Sequence, residues 1–157
     1  MRQQMASDSV SVILMTCLPF DRFAELVGES EREGYGFLRR LVDDWEDGSS
    51  RFARSGEALF AAVAAGRVVG VCGLNIDPYL RDDRVGRVRH LYVTAEYRRR
   101  GVGHRLVAEV VRSARGRFDQ LRLRTESDPA ARFYEEIGFR RCRGTADCTH
   151  TRNLSTE

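Results

Sequence analysis

The stretch YRRRGVGHRLV, residues 97–107, follows directly on the apolar run of residues 88–93. Apolar residues recur at helical spacing from Val102 onward, so the pattern predicts a strand that leads through an arginine-glycine turn into a helix. Backbone N–H groups at a helix start have no partner inside the helix, and glycines leave them accessible. The arginines add positive charge at the same place. This combination is typical of a loop that binds a diphosphate.

Hydrophobic periodicity and turn residues predict the elements on either side of this loop. Asp128-Pro129 has the features of a helix start, with a capping carboxylate and a proline in the first turn, and Gly138 has those of a helix stop. The resulting order is β-α-α-β-β-β-α-β-α-β-β, a mixed α/β fold whose helices cover a mostly antiparallel sheet. The predicted strands are residues 10–18, 59–65, 67–76, 88–93, 121–124, 139–141 and 147–154, and the predicted helices are residues 21–31, 37–45, 102–114 and 128–138.

Bulk properties favour an ordinary globular protein. Apolar residues make up 42% of the chain and charged residues 31%, and the formal net charge is +3. We expect a single domain over residues 1–157, with a polar and flexible segment at residues 1–9. No apolar run is long enough to span a membrane and no signal-peptide pattern is present, so we expect a cytoplasmic protein. The four cysteines lack CxxC spacing, which argues against a metal site.

A second segment, AARFYEEIGF at residues 130–139, narrows the choice of diphosphate. Together the two segments resemble the GNAT superfamily of acetyl-CoA-dependent N-acetyltransferases. That family has an Arg/Gln-x-x-Gly-x-Gly/Ala loop after a strand, which Arg98, Gly101 and Gly103 match. It also has a helix ending Phe/Leu-Tyr-x-x-x-Gly-Phe, matched by the FY of residues 133–134 and the GF of residues 138–139. A dinucleotide-binding loop fits less well, because its third glycine is absent.

The resemblance implies a binding site for acetyl-CoA as cosubstrate, with no metal. Backbone N–H groups of the loop would hold the pyrophosphate, and the strand before it would pair with the pantetheine arm like an added strand. The amide of Val93 would also polarise the thioester carbonyl. Ser127 stands where the family often has an asparagine that contacts pantetheine, so that contact is open. The implied cofactor-binding residues are Leu91, Tyr92, Val93, Arg98, Arg99, Arg100, Gly101, Val102, Gly103, His104, Ser127 and Phe133.

The same resemblance implies direct attack of an amine on the thioester in a ternary complex. Tyr134 would donate a proton to the departing thiolate, although it also belongs to an apolar stripe. An alkyl ammonium must first lose a proton, and many relatives have a glutamate for this on the strand before the loop. Here that stretch holds His90 instead, which strand alternation places on the face of Tyr92. The candidate bases are therefore His90, Glu126 and a chain of waters.

The acceptor is an unidentified small-molecule or peptide amine. Aromatic and acidic side chains would suit a cationic amine, although two adjacent aspartates, Asp82 and Asp83, also fit a solvated loop. The regions that form the acceptor site in the family supply Tyr35, Trp45, Asp77, Tyr79, Asp82, Asp83 and Asp147.

Two other classes remain as alternatives. The missing strand carboxylate is compatible with a non-catalytic module that binds or senses acyl-CoA. Arginines at positions 84, 87, 89, 98–100, 112, 115 and 117 prompt a nucleic-acid-binding alternative. Interleaved acids and the modest net charge argue against it, so we expect neither a nucleic-acid nor a membrane partner. The family's tendency to dimerise leaves a homodimer open.

Overall fold

A mixed β-sheet forms the centre of the part of the chain that the computed structural model describes, residues 9–155. Within these residues seven strands pair in the order β1-β2-β3-β4-β5-β7-β6, all antiparallel except the parallel pair β4 and β5. The predicted fold class is thereby confirmed. The strands are β1 (Val10–Leu14), β2 (Ala58–Ala64), β3 (Arg67–Ile76), β4 (Val85–Val93), β5 (Gln120–Leu123), β6 (Arg140–Arg141) and β7 (His150–Asn153).

Helices cover both faces of the sheet because each has one apolar side. Helices α1 (Phe20–Arg32) and α2 (Phe37–Asp47) pack on one face, where Phe23 and Leu38 are fully buried. Helices α3 (Val102–Ala114) and α4 (Asp128–Glu136) pack on the other face. A short 3₁₀ turn, Ala95–Tyr97, joins β4 to the loop before α3. The sheet is therefore sandwiched between two apolar cores.

The parallel pair of strands separates towards one end of the sheet. Strands β4 and β5 pair only where residues 85–87 lie opposite residues 120–122. Beyond Arg87, strand β4 continues to Val93 with β3 as its neighbour on one side and no strand on the other. An edge with free N–H and C=O groups is thus left in the middle of the sheet.

Strand β4 contains a β-bulge at His90. Gly73 lies opposite Arg89 and Val71 opposite Tyr92, so two residues of β4 face Cys72 alone. His90 adopts a φ of 62°, a conformation uncommon outside glycine. Because of the bulge, the side chains of both Arg89 and His90 lie on the α1/α2 face. In a regular strand, these consecutive residues would lie on opposite faces of the sheet.

Several element boundaries differ from the sequence prediction. Strand β1 ends at Leu14 rather than at residue 18, and β7 is limited to His150–Asn153. Strand β4 starts at Val85, three residues earlier than predicted. Of the segment expected to be flexible, residues 1–9, all but Ser9 lies outside the described residues. No helix within residues 9–155 is long and apolar enough to cross a membrane.

Candidate active site

A cleft with a volume of about 1130 Å³ opens where β4 and β5 separate. Its walls come from β4, the loop before α3, the end of β5 and the start of α4. All the predicted site residues except Arg100 line this cleft. Arg100 instead has its guanidinium carbon 5.0 Å from the ring centroid of Tyr97. Among the predicted acceptor residues, the cleft brings in Tyr35 and Tyr79.

The loop before α3 has a conformation that presents backbone N–H groups. Arg99 and Gly101 have φ values of 62° and 79°, and Gly101 is the N-cap of α3. No hydrogen bond within residues 9–155 uses the N–H groups of Gly101, Val102, Gly103 or His104. Successive free N–H groups at the positive end of a helix dipole form a concave anion site.

Gly103 keeps the first turn of α3 close to α4. A Cβ atom at this position would lie 3.3 Å from the ring of Phe133, which is tighter than an ordinary contact. The ring of His104 also packs edge-on against Phe133, with the centroids 4.9 Å apart. The side chains therefore fix the spacing between the two helices that border the cleft.

The side chain of Arg98 turns away from this loop. Its Nε donates to the backbone carbonyl of Val93 at 2.9 Å, and its terminal nitrogens donate to Glu33, directly after α1. The hydroxyl of Tyr92 lies 2.6 Å from a carboxylate oxygen of Glu29 and 2.5 Å from one of Glu33. Burial and these two carboxylates raise the pKa of Tyr92 above its usual value. Arg98 and Tyr92 thus join α1 to the cleft.

The backbone of Val93 faces the open side of β4. Thr94 donates its N–H to Val69 of β3, while Val93 lies opposite Gly70. In antiparallel geometry this makes Val93 and Gly70 a pair without mutual hydrogen bonds, so the N–H and C=O of Val93 point away from β3. The carbonyl accepts from Arg98, and the N–H is directed into the cleft.

Tyr134 lies on the opposite wall, on α4. It is only 7% exposed, and its ring packs edge-on against Phe133 and Phe139 at centroid distances of 5.2 and 5.5 Å. Burial raises the pKa of the hydroxyl above its usual value, so the group is protonated at neutral pH. The position combines core packing with a hydroxyl at the cleft wall.

The two candidate bases have unfavourable surroundings. Burial, with the guanidinium of Arg89 acting in the same direction, lowers the pKa of His90 to about 3. Its ring lies among aromatic neighbours, 6.3 Å from Phe37 and 6.2 Å from Phe52. The carboxylate of Glu126 is 79% exposed and accepts from Arg124 at 2.7 Å. His90 is therefore a weak base, and Glu126 is held in an exposed ion pair.

The serine of the predicted site caps α4. Ser127 is the N-cap residue, and its Oγ accepts from the N–H of Ala130 at 3.3 Å. The capping carboxylate expected of Asp128 is wrong, because Asp128 is already the first helical residue. Ser127 still lines the cleft.

Several predicted acceptor residues serve the fold instead. Asp77 is buried and pairs with two arginines, Arg87 at 3.3 Å and Arg122 at 3.2 Å. Asp147 pairs with Arg122 at 2.9 Å, and its backbone carbonyl accepts from Arg87 at 2.7 Å. These two aspartates therefore neutralise two buried arginines. Trp45 stacks on Phe52, and Asp82 and Asp83 are exposed outside the cleft lining.

Sequence reasoning missed several of the residues that line the cleft together with Tyr35 and Tyr79. They are basic and aromatic rather than acidic: Phe37, Arg40, Arg87 and Arg89. Alternate arginines in the GRVRH run of residues 86–90 carried a signal, since they share one face of a strand. Among the described residues, no cluster of histidine, cysteine, aspartate and glutamate is arranged to hold a metal ion.

Comparison with known proteins is consistent with this geometry. The model of the acetyltransferase (GNAT) family matches residues 20–139. The N-alpha-acetyltransferase RimI of Mycobacterium tuberculosis is 33% identical over 87 residues, which are 51% of this chain and 50% of that protein. The chain thus matches only about half the length of this curated relative.

Solved structures share the fold over most of the chain. A protein from Exiguobacterium sp. 255-15, assigned provisionally as an acetyltransferase, superposes with a TM-score of 0.81 at 28% identity, covering 92% of this chain and 93% of the other. The PaiA N-acetyltransferase from Thermoplasma acidophilum, solved in complex with coenzyme A, has a TM-score of 0.69 at 16% identity, covering 92% and 99%. At that identity the second likeness concerns the fold alone.

Proposed function

Because this chain belongs to the GNAT acetyltransferase family, we propose that it transfers an acetyl group from acetyl-CoA to a primary amine by direct attack in a ternary complex. The observation that carries the proposal is the cleft between β4 and β5, where a free strand edge, an anion-binding helix start and a tyrosine hydroxyl meet. A cosubstrate such as acetyl-CoA requires a site for its diphosphate, a surface that binds its extended arm, and a proton donor for its thiolate.

The diphosphate of acetyl-CoA would accept hydrogen bonds from the free N–H groups at the start of α3. The pantetheine arm, which carries amide groups, would pair with the open edge of β4 as an added strand does. Arg98 contributes indirectly in this arrangement, because Glu33 and the carbonyl of Val93 already occupy its guanidinium. Its effect is to hold the strand end in place.

The reaction would proceed by attack of the neutral amine on the thioester carbon. The N–H of Val93 would donate to the carbonyl oxygen as negative charge develops there. When the carbon–sulfur bond breaks, the sulfur takes the electron pair and the proton of Tyr134, and the proton that leaves the attacking nitrogen restores the tyrosine hydroxyl through water. The raised pKa of Tyr134 keeps the hydroxyl protonated until that step.

Removal of the amine proton is assigned to water rather than to one side chain. An amine with a pKa of ~10 needs about 4 kcal/mol to lose its proton at pH 7. His90, with its pKa lowered to about 3, is too weak a base for this task. Glu126 stands at the rim of the cleft and is neutralised by Arg124. A chain of waters to bulk solvent meets the need without a dedicated base.

Calorimetric titration with acetyl-CoA, CoA and ATP tests the first half of the proposal. Saturable binding of both CoA forms but not of ATP is the expected result. Thiol release in the presence of an amine panel tests the second half. Failure of the folded protein to bind either CoA form would refute the proposal. Binding without turnover of any amine would favour a non-catalytic acyl-CoA-binding module.

We also propose that the fold forms one domain over residues 1–157 that acts without a metal ion. The first and the last strands of the described residues belong to the same sheet, which supports a single domain. Turnover unchanged by a metal chelator would support the second statement, and loss of turnover that added metal restores would contradict it.

A further inference from the structure

We call the part of the cleft next to Tyr35 and Tyr79, which the resemblance assigns to the amine, the acceptor half. This half carries positive charge. Arg40, Arg87 and Arg89 line this half together with the aromatic side chains of Tyr35 and Phe37. Among the described residues that line the cleft, Glu126 alone has a carboxylate, and it lies with Arg124 at the end of β5. A wall of this composition repels a purely cationic substrate.

Arg87 does not contribute to this positive charge, because its guanidinium is neutralised by a buried carboxylate. The buried guanidinium bonds to Asp77 and to the carbonyl of Asp147, and Arg122 shares the same two aspartates. Two arginines thus balance two aspartates. The ring of Tyr79 covers Arg87 at 4.7 Å.

Arg89 differs because no carboxylate in residues 9–155 pairs with it. It makes a long hydrogen bond, from Nη1 to the side-chain oxygen of Asn75 at 3.5 Å. The side chain is half-buried at the bulge, and burial together with Arg87 lowers its pKa, while Tyr79 and Asp44 act in the opposite direction. A half-buried guanidinium with spare donors is a site that favours a bidentate oxyanion.

We propose that the amine acceptor also carries an oxyanion, a carboxylate or a phosphate, which Arg89 binds with support from Arg40. This inference rests on the proposed function and names the substrate class for the same site. Arg89 precedes Val93 by four positions on β4, so the anion would sit up to about 13 Å along the strand from the reacting carbonyl. Acetylation converts the charged amine into a neutral amide, whereas the oxyanion and its contact with Arg89 are unchanged by the reaction.

The experiment compares amines that differ only in the anionic group. The pairs are γ-aminobutyrate with propylamine, phenylalanine with phenethylamine, and phosphoethanolamine with ethanolamine. We expect the anionic member to have at least a tenfold higher kcat/KM in one or more pairs and to bind the CoA complex more tightly in calorimetry. The carboxylate and phosphate pairs distinguish the two sources of the oxyanion.

Substitutions at Arg89 then locate the effect. Arg89→Gln should reduce the preference for the anionic member by about 10- to 100-fold, the usual contribution of a charged hydrogen bond. Arg89→Lys retains the charge without the fork and should give an intermediate value. Arg22→Gln, on the exposed side of α1, is the matched control and should leave the preference unchanged.

The outcomes separate this inference from the proposed function. Equal use of both members of every pair, or failure of the CoA complex to bind any anionic amine more tightly than its partner, would overturn the inference while leaving acetyl transfer intact. A preference that survives Arg89→Gln in a folded variant would also overturn it. Absence of acetyl-CoA binding by the wild-type protein would instead refute the proposed function.

Discussion

The guanidinium of Arg98 meets the carboxylate of Glu33 end-on, with Nη1 and Nη2 2.9 and 2.5 Å from its two oxygens. The pair connects the end of α1 to the loop that precedes α3, and it lowers the pKa of Glu33. The guanidinium of an arginine that matches the family's diphosphate motif is therefore already paired with a carboxylate of the same chain. Its contribution to acetyl-CoA binding should be indirect.

A double-mutant cycle tests this role of Arg98. Arg98→Ala and Glu33→Ala should each weaken acetyl-CoA binding several-fold, because each releases the strand end at Val93, and the double variant should lose little more than either one. Calorimetric Kd values provide the measurement. Glu31→Ala, which breaks the exposed pair with Arg39 outside the cleft, is the matched control. Tighter binding by Glu33→Ala would show that Arg98 is better placed on the phosphates than on Glu33.

Much of the fold follows from local patterns in the sequence. The stripe from Val102 to Ala114 and the turn before it depend on spacing and glycine alone, and the structure confirms that helix. The bulge at His90 could not be predicted, because it arises from the register between β3 and β4 rather than from the sequence of β4. It moves Arg89 beside His90 on the α1/α2 face, and this changes the character of the acceptor side.

The acceptor site was harder to predict than the loop for a related reason. Asp77 has the negative charge expected of an amine-binding residue. Its actual partners are Arg87 of β4 and Arg122 of β5. Only the sheet topology brings these three groups together. The role of a charged side chain can therefore be assigned only when its partners in the fold are known, whereas a helix start can be predicted from the neighbouring sequence.

The hydroxyl of Tyr134 should matter for turnover and little for folding. Tyr134→Phe keeps the ring contacts with Phe133 and Phe139 and removes only the proton donor. We expect kcat to fall about 100-fold, within the usual range for general acid catalysis, with the Kd for acetyl-CoA and the Tm nearly unchanged. Steady-state kinetics and thermal unfolding of the same preparation provide the measurement. Unchanged kcat would assign Tyr134 to packing alone.

Two glycines with the same backbone conformation separate strain from anion binding. Gly101 and Gly116 flank α3 with φ values of 79° and 81°, and neither has an atom within 4 Å of an added Cβ. Gly101→Glu and Gly116→Glu should both lose about 1–2 kcal/mol of stability from the left-handed backbone. Only Gly101→Glu should abolish acetyl-CoA binding, since its carboxylate would stand at the diphosphate site. Equal binding by both variants would contradict the assignment of the loop.

His90 should make the protein sensitive to acid. The unfolded chain takes up a proton on this histidine near pH 6.5, whereas the folded protein resists it until about pH 3. The free energy of unfolding should therefore fall by up to about 1.4 kcal/mol per pH unit as the pH drops below 6.5. His90→Asn removes the titration, and asparagine tolerates the positive φ. Denaturant titrations between pH 7 and pH 4 give the free energy of unfolding at each pH. This free energy should fall less steeply with decreasing pH in the variant than in the wild type. An equal pH dependence would contradict the burial of a neutral imidazole.

Asp77 should be a stabilising residue rather than a substrate ligand. Its carboxylate is fully buried between Arg87 and Arg122, and its Oδ1 also accepts from the N–H groups of Tyr79 and Leu80. Asp77→Asn leaves the guanidinium pair short of one negative charge in a buried position, which costs about 3–5 kcal/mol. Urea unfolding measures the loss. Asp119→Asn is the matched control, because its pair with Arg84 is half-exposed and screened by water. A stable Asp77→Asn variant with a raised KM for the amine would return Asp77 to the acceptor site.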